Sequence, residues 1–217
     1  MIPTHHLDDS TLLAYAAGTL DEAFMVVAAS HVAVCPACRA AVQRAEAVGG
    51  ALLERMDDAA VSADCRARTM AALEPALFTG RRGMDAPRSE LPLPLASRLS
   101  VMRFADLPWK KKAPGVSMLD VSLSSRASGQ LRLMRIGAGR AMPEHGHGGE
   151  EITLVLKGAY SDHMGRFGEG DVADLDEAIE HRPVVDQDRD CICLVATERP
   201  TRFKSLAARL IQPFVGI

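Results

Sequence analysis

Two clusters of side chains in this sequence have the types and spacing to hold metal ions. The first is His31-Val-Ala-Val-Cys35-Pro-Ala-Cys38. His31 and Cys35 are four positions apart and Cys35 and Cys38 three, and helical turns bring such positions to one face. A Cys-x-x-Cys pair closes on a tetrahedral ion without straining the turn. Two sulfurs with nitrogen favour zinc. A fourth ligand is missing locally, and either His5 or His6, just ahead of a predicted helix, would supply it. Counted from His6, the pattern is His-x24-His-x3-Cys-x2-Cys. The competing readings are a thioredoxin-like redox pair or plain core cysteines. A redox pair of that kind needs a strand before it, whereas a helical pattern precedes this one. The second cluster holds His145, His147 and two adjacent carboxylates, Glu150 and Glu151. On an extended chain His145 and His147 point to one side. Glu151 shares their parity and Glu150 does not, provided that Gly148-Gly149 does not bulge. The competing reading is a pair of surface histidines in a glycine-rich loop.

The elements that must position the first cluster are helices. Residues 1 to about 78 are rich in Ala and Leu and poor in Pro and Gly. Asp9 or Ser10 caps a first helix carrying Leu12, Leu13, Tyr15 and Ala16, and Gly18 ends it. Asp21 and Glu22 favour a second helix starting near Ala23, in which Phe24, Val27, Ala28 and His31 follow at helical spacing. Pro36 suits the first turn of a third helix running to about Met56. A metal at the Val34-Cys35 turn would pin helices two and three together. Ser62 or Asp64 caps a fourth helix reaching about Leu73, ahead of Pro75.

From residue 79 to about 100 the chain holds glycines and prolines at a density that predicts neither helix nor strand, and reads as an extended linker. Beyond it the period changes to two. Strand-like runs occur at Leu119–Ser124, Leu131–Ile136, Ile152–Leu156 and Cys191–Ala196. Several short strands without strong helices between them predict an antiparallel sandwich or barrel. The tail Lys204–Gln212 suits a short helix or a last strand equally.

Composition narrows the function classes. The 217 residues are 47% apolar, enough for a sizeable core, and the net charge of −3 gives no drive toward nucleic acid or an anionic membrane. Residues 1–80 hold ten acidic side chains against five basic ones, leaving the remainder at +2. A DNA-reading zinc finger needs the opposite sign. An acidic, alanine-rich helical surface suits a basic protein partner, or is simply a solvated face. The five cysteines do not form the even framework of a secreted disulfide protein. The N-terminus lacks a basic segment followed by an apolar one, so a soluble cytoplasmic protein is expected. Cys191 and Cys193 share a strand face, either as small buried hydrophobes or as oxidisable thiols lining a barrel. As i, i+2 neighbours they should stand too far apart for an easy disulfide. Cys65 and His163 receive no role.

The first cluster resembles the zinc-binding anti-sigma domain, whose mark is His-x3-Cys-x2-Cys with an upstream histidine. Gly139 to Gly158, with His145, His147 and Glu151, looks like the first cupin motif, Gly-x5-His-x-His-x3-Glu-x6-Gly. Gly170 to His181 keeps the spacing and histidine of the second motif, though Asp176, Ala178 and Val185 stand where it has proline, glycine and asparagine. This resemblance implies a metal held by His145, His147, Glu151 and a facing-strand His181. Such a set accommodates zinc, manganese, iron or nickel, with zinc expected. An anti-sigma zinc domain followed by a cupin resembles the ChrR-type anti-sigma factors of group IV extracytoplasmic-function sigma factors. That resemblance implies a multidomain α + β chain: an all-α zinc-binding bundle over residues 1–85, a linker over 86–100 and a cupin β-sandwich or barrel over 101–217. It implies zinc held by His31, Cys35 and Cys38 with an upstream histidine, taken as His6 with His5 still open, and a sigma factor bound 1:1 and inhibited in the cytoplasm. It implies no direct contact with nucleic acid or membrane, and release of the partner through the cupin in response to singlet oxygen or related oxidants. The alternative is a cupin metalloenzyme, a dioxygenase or isomerase, with an N-terminal zinc module.

Overall fold

The computed structural model describes residues 2–79, 89–200 and 202–203. Five helices and twelve strands follow in chain order among them. The helices are α1 (Asp9–Ala16), α2 (Glu22–Val34), α3 (Pro36–Leu53), α4 (Cys65–Thr79) and α5 (Leu93–Leu99). Asp8, rather than Asp9 or Ser10, occupies the N-cap of α1, and Gly18 at φ +68° turns the chain out of it. The Asp21 carboxylate caps α2 by accepting from the Ala23 amide at 3.0 Å. Pro36 opens α3 as expected, and Gly49-Gly50 stay inside it. Helix α4 continues through Pro75 to Thr79, beyond the predicted end at Leu73. Helices α1, α2 and α3 pack on one another.

The strands are β1 (Lys110–Ala113), β2 (Val116–Asp120), β3 (Gln130–Ile136), β4 (His145–Gly146), β5 (Glu151–Lys157), β6 (Tyr160–Asp162), β7 (Gly165–Phe167), β8 (Val172–Leu175), β9 (Glu180–His181), β10 (Val184–Val185), β11 (Cys191–Thr197) and β12 (Arg202–Phe203). A six-stranded sheet runs β1-β2-β3-β11-β5-β8, and two three-stranded sheets run β10-β6-β7 and β12-β4-β9. Every pairing is antiparallel. Tyr160, Phe167 and Val185 of the β10-β6-β7 sheet pack over one face of the large sheet, giving a two-layer β-sandwich. The tail Lys204–Gln212 and linker residues 80–88 lie outside the described residues.

Strand β11 explains how the layers are held. It is buried on both faces, and its parity divides the core. Cys191, Cys193 and Val195 point between the β-layers with Met134, Ile136 and Val155. Ile192, Leu194 and Ala196 point the other way, into one cluster with Phe24, Val27 and Ala28 of α2. The apolar face of α2 therefore covers the outer face of the large sheet. Full burial of Val27 alone is worth about 1.5–3 kcal/mol.

The expected structureless linker is corrected at its C-terminal end. Pro92 and Pro94 flank and enter the first turn of α5, where a missing amide costs nothing. Leu91, Leu95 and Ala96 are buried in the same cluster, against α2. Polar contacts add to this seam. The Asp21 carboxylate also accepts from the Ser128 amide at 2.7 Å and its hydroxyl at 2.9 Å, in the β2–β3 loop. Glu22 binds Arg98 and accepts from the Ser124 amide at 2.9 Å. Among the described residues no single helix is long and apolar enough to cross a membrane.

Two candidate metal centres

The first centre forms where α2 meets α3. Cys35 ends one helix and caps the next, and the two axes bend by 115° there. That bend sets His31, in the last turn of α2, against Cys38, in the first turn of α3. His31 Nε2 lies 3.2 Å from Cys38 Sγ. His6 reaches in from the segment before α1, its Nδ1 3.3 Å from Cys35 Sγ and 3.7 Å from Cys38 Sγ. Around a tetrahedral zinc, with bonds of about 2.3 Å to sulfur and 2.0–2.1 Å to nitrogen, neighbouring S and N ligands stand roughly 3.5 Å apart. These four residues fit such an ion. Sequence spacing left His5 and His6 open. His6 lies with the cysteines, while His5 turns to the β-sandwich, its ring 4.3 Å from Phe167 and its Nδ1 3.5 Å from Asp171.

Without an ion, burial holds the His31 imidazole down at about 4 and pushes the Cys38 thiol up to about 11. A cation reverses the second effect, because a coordinated thiol gives up its proton. His31 Nδ1 lies 2.9 Å from the Gly170 carbonyl, to which it donates. That fixes the tautomer and leaves Nε2 as a lone pair facing the cysteines.

The second centre gathers His145, His147, Glu151 and His181, all buried, with one ligand atom from each within 4.8 Å of the others. His145 Nδ1 lies 2.8 Å from the Pro143 carbonyl, and His181 Nδ1 lies 2.9 Å from the Asp162 carboxylate. Each Nδ1 donates, so both Nε2 atoms carry lone pairs. They face each other at 3.0 Å. Two lone pairs repel at that distance, and a cation between them removes the conflict. His147 Nε2 is buried without a hydrogen-bond partner, which an ion would also relieve. Burial pushes the Glu151 carboxyl up, but the three histidines outweigh it and hold it below its ordinary value. The donor set fits a divalent ion.

The geometry corrects how this centre is assembled. His145 and Glu151 do not share one extended strand: the chain leaves β4 after Gly146 and enters β5, in the large sheet, at Glu151. Glu151 thus meets the histidines across the sandwich, and strand parity was not the reason. His181 is not on a facing strand either. It lies on β9, hydrogen-bonded beside β4 in direct register with His145.

Beside the centre a cavity is lined by Met134, Met142, Tyr160, Cys191 and Cys193. Both cysteines point into it, with their sulfurs 3.5 Å apart. The side chains converge more than strand spacing predicts. Sequence reasoning missed Asp162, which orients His181, and Asp171, which holds the segment before His6. Asp171 stands in the second cupin motif, so its neighbourhood was marked while its role was not.

Comparison with known proteins follows these features along nearly the whole chain. A family model described as the ChrR cupin-like domain matches residues 97–200. The anti-sigma-E factor ChrR of Cereibacter sphaeroides is 42% identical over 215 residues, covering 98% of both chains. A chain in the crystal structure of Rhodobacter sphaeroides SigE in complex with the anti-sigma ChrR superposes with a TM-score of 0.74 at 40% identity, covering 89% of this chain and 98% of that one. With a relative this similar end to end, the chain belongs to the family of the anti-sigma factor ChrR.

Proposed function

We propose that this chain is a cytoplasmic anti-sigma factor and not an enzyme. It binds one extracytoplasmic-function sigma factor, 1:1, and keeps it from RNA polymerase. The observation that carries this reading is the near full-length similarity to ChrR and to a chain of the SigE–ChrR complex. A surface feature supports it. Val48, Leu52, Leu53, Met56, Val61, Met70 and Leu73 expose from 47% to 75% of their surface along the end of α3, the following loop and α4. Glu54, Asp57, Asp58 and Asp64 stand among them, interleaved with Arg55, Arg66 and Arg68. Exposed apolar side chains in this number mark a surface that a protein partner covers.

In this reading His6, His31, Cys35 and Cys38 hold zinc and lock the α2–α3 corner. His145, His147, Glu151 and His181 hold a divalent metal, zinc by preference, in the cupin of residues 101–217. The helical unit of residues 1–85 contacts the sigma factor. The cupin is the sensor through which singlet oxygen or a related oxidant releases it. The test is a binding and transcription assay with purified extracytoplasmic-function sigma factors of the same organism. One of them should co-elute 1:1 and lose run-off transcription, with two metal ions per chain by mass spectrometry. If none binds and transcription is untouched, the reading fails.

A further inference from the structure

We propose that the Gly168–Asp171 turn of the β-sandwich is part of the first metal centre, orienting two of its ligands, so that retention of that metal depends on the docked β-sandwich. The inference rests on reading His6, His31, Cys35 and Cys38 as a metal site.

The turn reaches two of the four ligands by separate routes. The Gly170 carbonyl accepts from His31 Nδ1 at 2.9 Å, which sets the ring plane and the tautomer. The buried Asp171 carboxylate accepts from the Thr4 amide at 2.6 Å and the His5 amide at 3.0 Å. These are the two backbone groups immediately before His6, so Asp171 fixes where that imidazole starts. Its other oxygen accepts from the Gly168 amide at 2.8 Å, which braces the turn itself. Amides bonded to an ionised carboxylate make strong, short hydrogen bonds. The turn is anchored in turn: Gly170 N donates to Val155 O at 2.8 Å and Val155 N to Asp171 O at 3.0 Å, both on β5.

Packing is equally close. Gly170 adopts φ +90°, and a Cβ there would stand 3.0 Å from Pro3. Glycine takes that φ without strain, and any larger residue would also press on Pro3. Partners that orient a ligating imidazole are commonly worth 10–100-fold in metal affinity. His6 itself is exposed, so its imidazole is the ligand that leaves first and its orientation governs release.

The test uses full-length protein loaded with cobalt(II), whose thiolate charge-transfer absorption reports only the cysteine-containing centre. Transfer to a chromophoric chelator is timed for wild type, Asp171→Ala, the isosteric Asp171→Asn, and Asp174→Ala. Asp174 accepts from the Asp8 amide at 3.1 Å on the same seam, holding the N-cap of α1 beyond His6 and not the segment that leads into it. We expect release about tenfold faster or more for Asp171→Ala, severalfold for Asp171→Asn, and wild-type release for Asp174→Ala. Loading of the second centre and circular dichroism should match wild type, and if Asp171→Ala misfolds, Asp171→Asn alone decides. Wild-type release from a folded Asp171 variant, or equal acceleration by Asp174→Ala, overturns the proposal. If wild type shows no thiolate–cobalt band, the metal site itself is misread and the proposal falls with it.

Discussion

Replacing Asp21 with alanine tests how firmly α2 is clasped to the β-sandwich. The carboxylate performs two tasks: it caps α2 through the Ala23 amide and binds the Ser128 amide and hydroxyl at 2.7 and 2.9 Å. Loss of an N-cap costs about 1 kcal/mol. The bonds to Ser128 are charge-assisted, worth about 1.5–3 kcal/mol in burial, but this site is partly solvated and about 1 kcal/mol is the fair figure. Asp21→Ala should therefore lose about 2 kcal/mol in urea unfolding followed by circular dichroism. Asp21→Asn keeps the cap and should lose about half of that. Burial pushes the Asp21 carboxyl up, yet the Ser128 and Ala23 amides outweigh it, so its folded pKa lies below the ordinary 3.8. A depressed carboxylate stabilises the fold above its unfolded pKa, and that contribution is lost as pH falls through the folded value. Wild type and Asp21→Ala should accordingly converge in strong acid. A loss under about 0.5 kcal/mol for both variants at neutral pH would refute the clasp, since that is the scatter of ordinary surface substitutions.

Other outcomes follow from the centres and the exposed strip. Cys38→Ala should lose the first metal and weaken sigma binding at least tenfold together; a metal-free variant with unchanged affinity would sink the idea that the locked corner presents the binding face. Because the Cys38 thiol titrates near 11 without an ion, its proton competes throughout the neutral range. Affinity for zinc should thus rise about tenfold per pH unit from this thiol alone, and a flat profile in chelator competition between pH 6 and 8 would contradict thiolate ligation. Leu53→Glu with Met56→Glu, both exposed, should leave unfolding within about 0.5 kcal/mol of wild type yet reduce sigma affinity at least tenfold in calorimetry. His145→Ala with His147→Ala should retain basal inhibition in a reporter assay while abolishing induction by the oxidant; full induction would remove the second centre from the sensor.

What the sequence made legible is what depends on near neighbours. The spacing of His31, Cys35 and Cys38 survives folding because a helix end, one residue and a helix start fix it within two turns. The period of two along Cys191–Ala196 puts both thiols on one strand face, as the structure has them. What failed depends on distant chain. Gly and Pro counts around residue 92 predict a break, but buried Leu91 and Leu95, supported by α2, make α5 worth forming. Strand parity put Glu151 beside His145 for the wrong reason, because β4 is only two residues long and the chain changes sheet after it. Nothing near His5 or His6 distinguishes them; Asp171, more than 160 residues away, does.

The burial of α2 against β11 also imposes an order of events on synthesis. Val27 leaves the ribosome about 160 residues before the strand that covers it. At roughly 5–20 residues per second the delay is on the order of ten to thirty seconds. Helices form within microseconds, so α1 to α3 sample their fold while most of their covering surface does not yet exist. During that interval Phe24, Val27 and Ala28 lack the β11 side of their packing, although α5 is made sooner. β11 pairs with both β3 and β5 and so closes the centre of the large sheet last. The newborn helical unit is therefore open to chaperones, and to an early encounter with its partner, before the cupin is there to hold it.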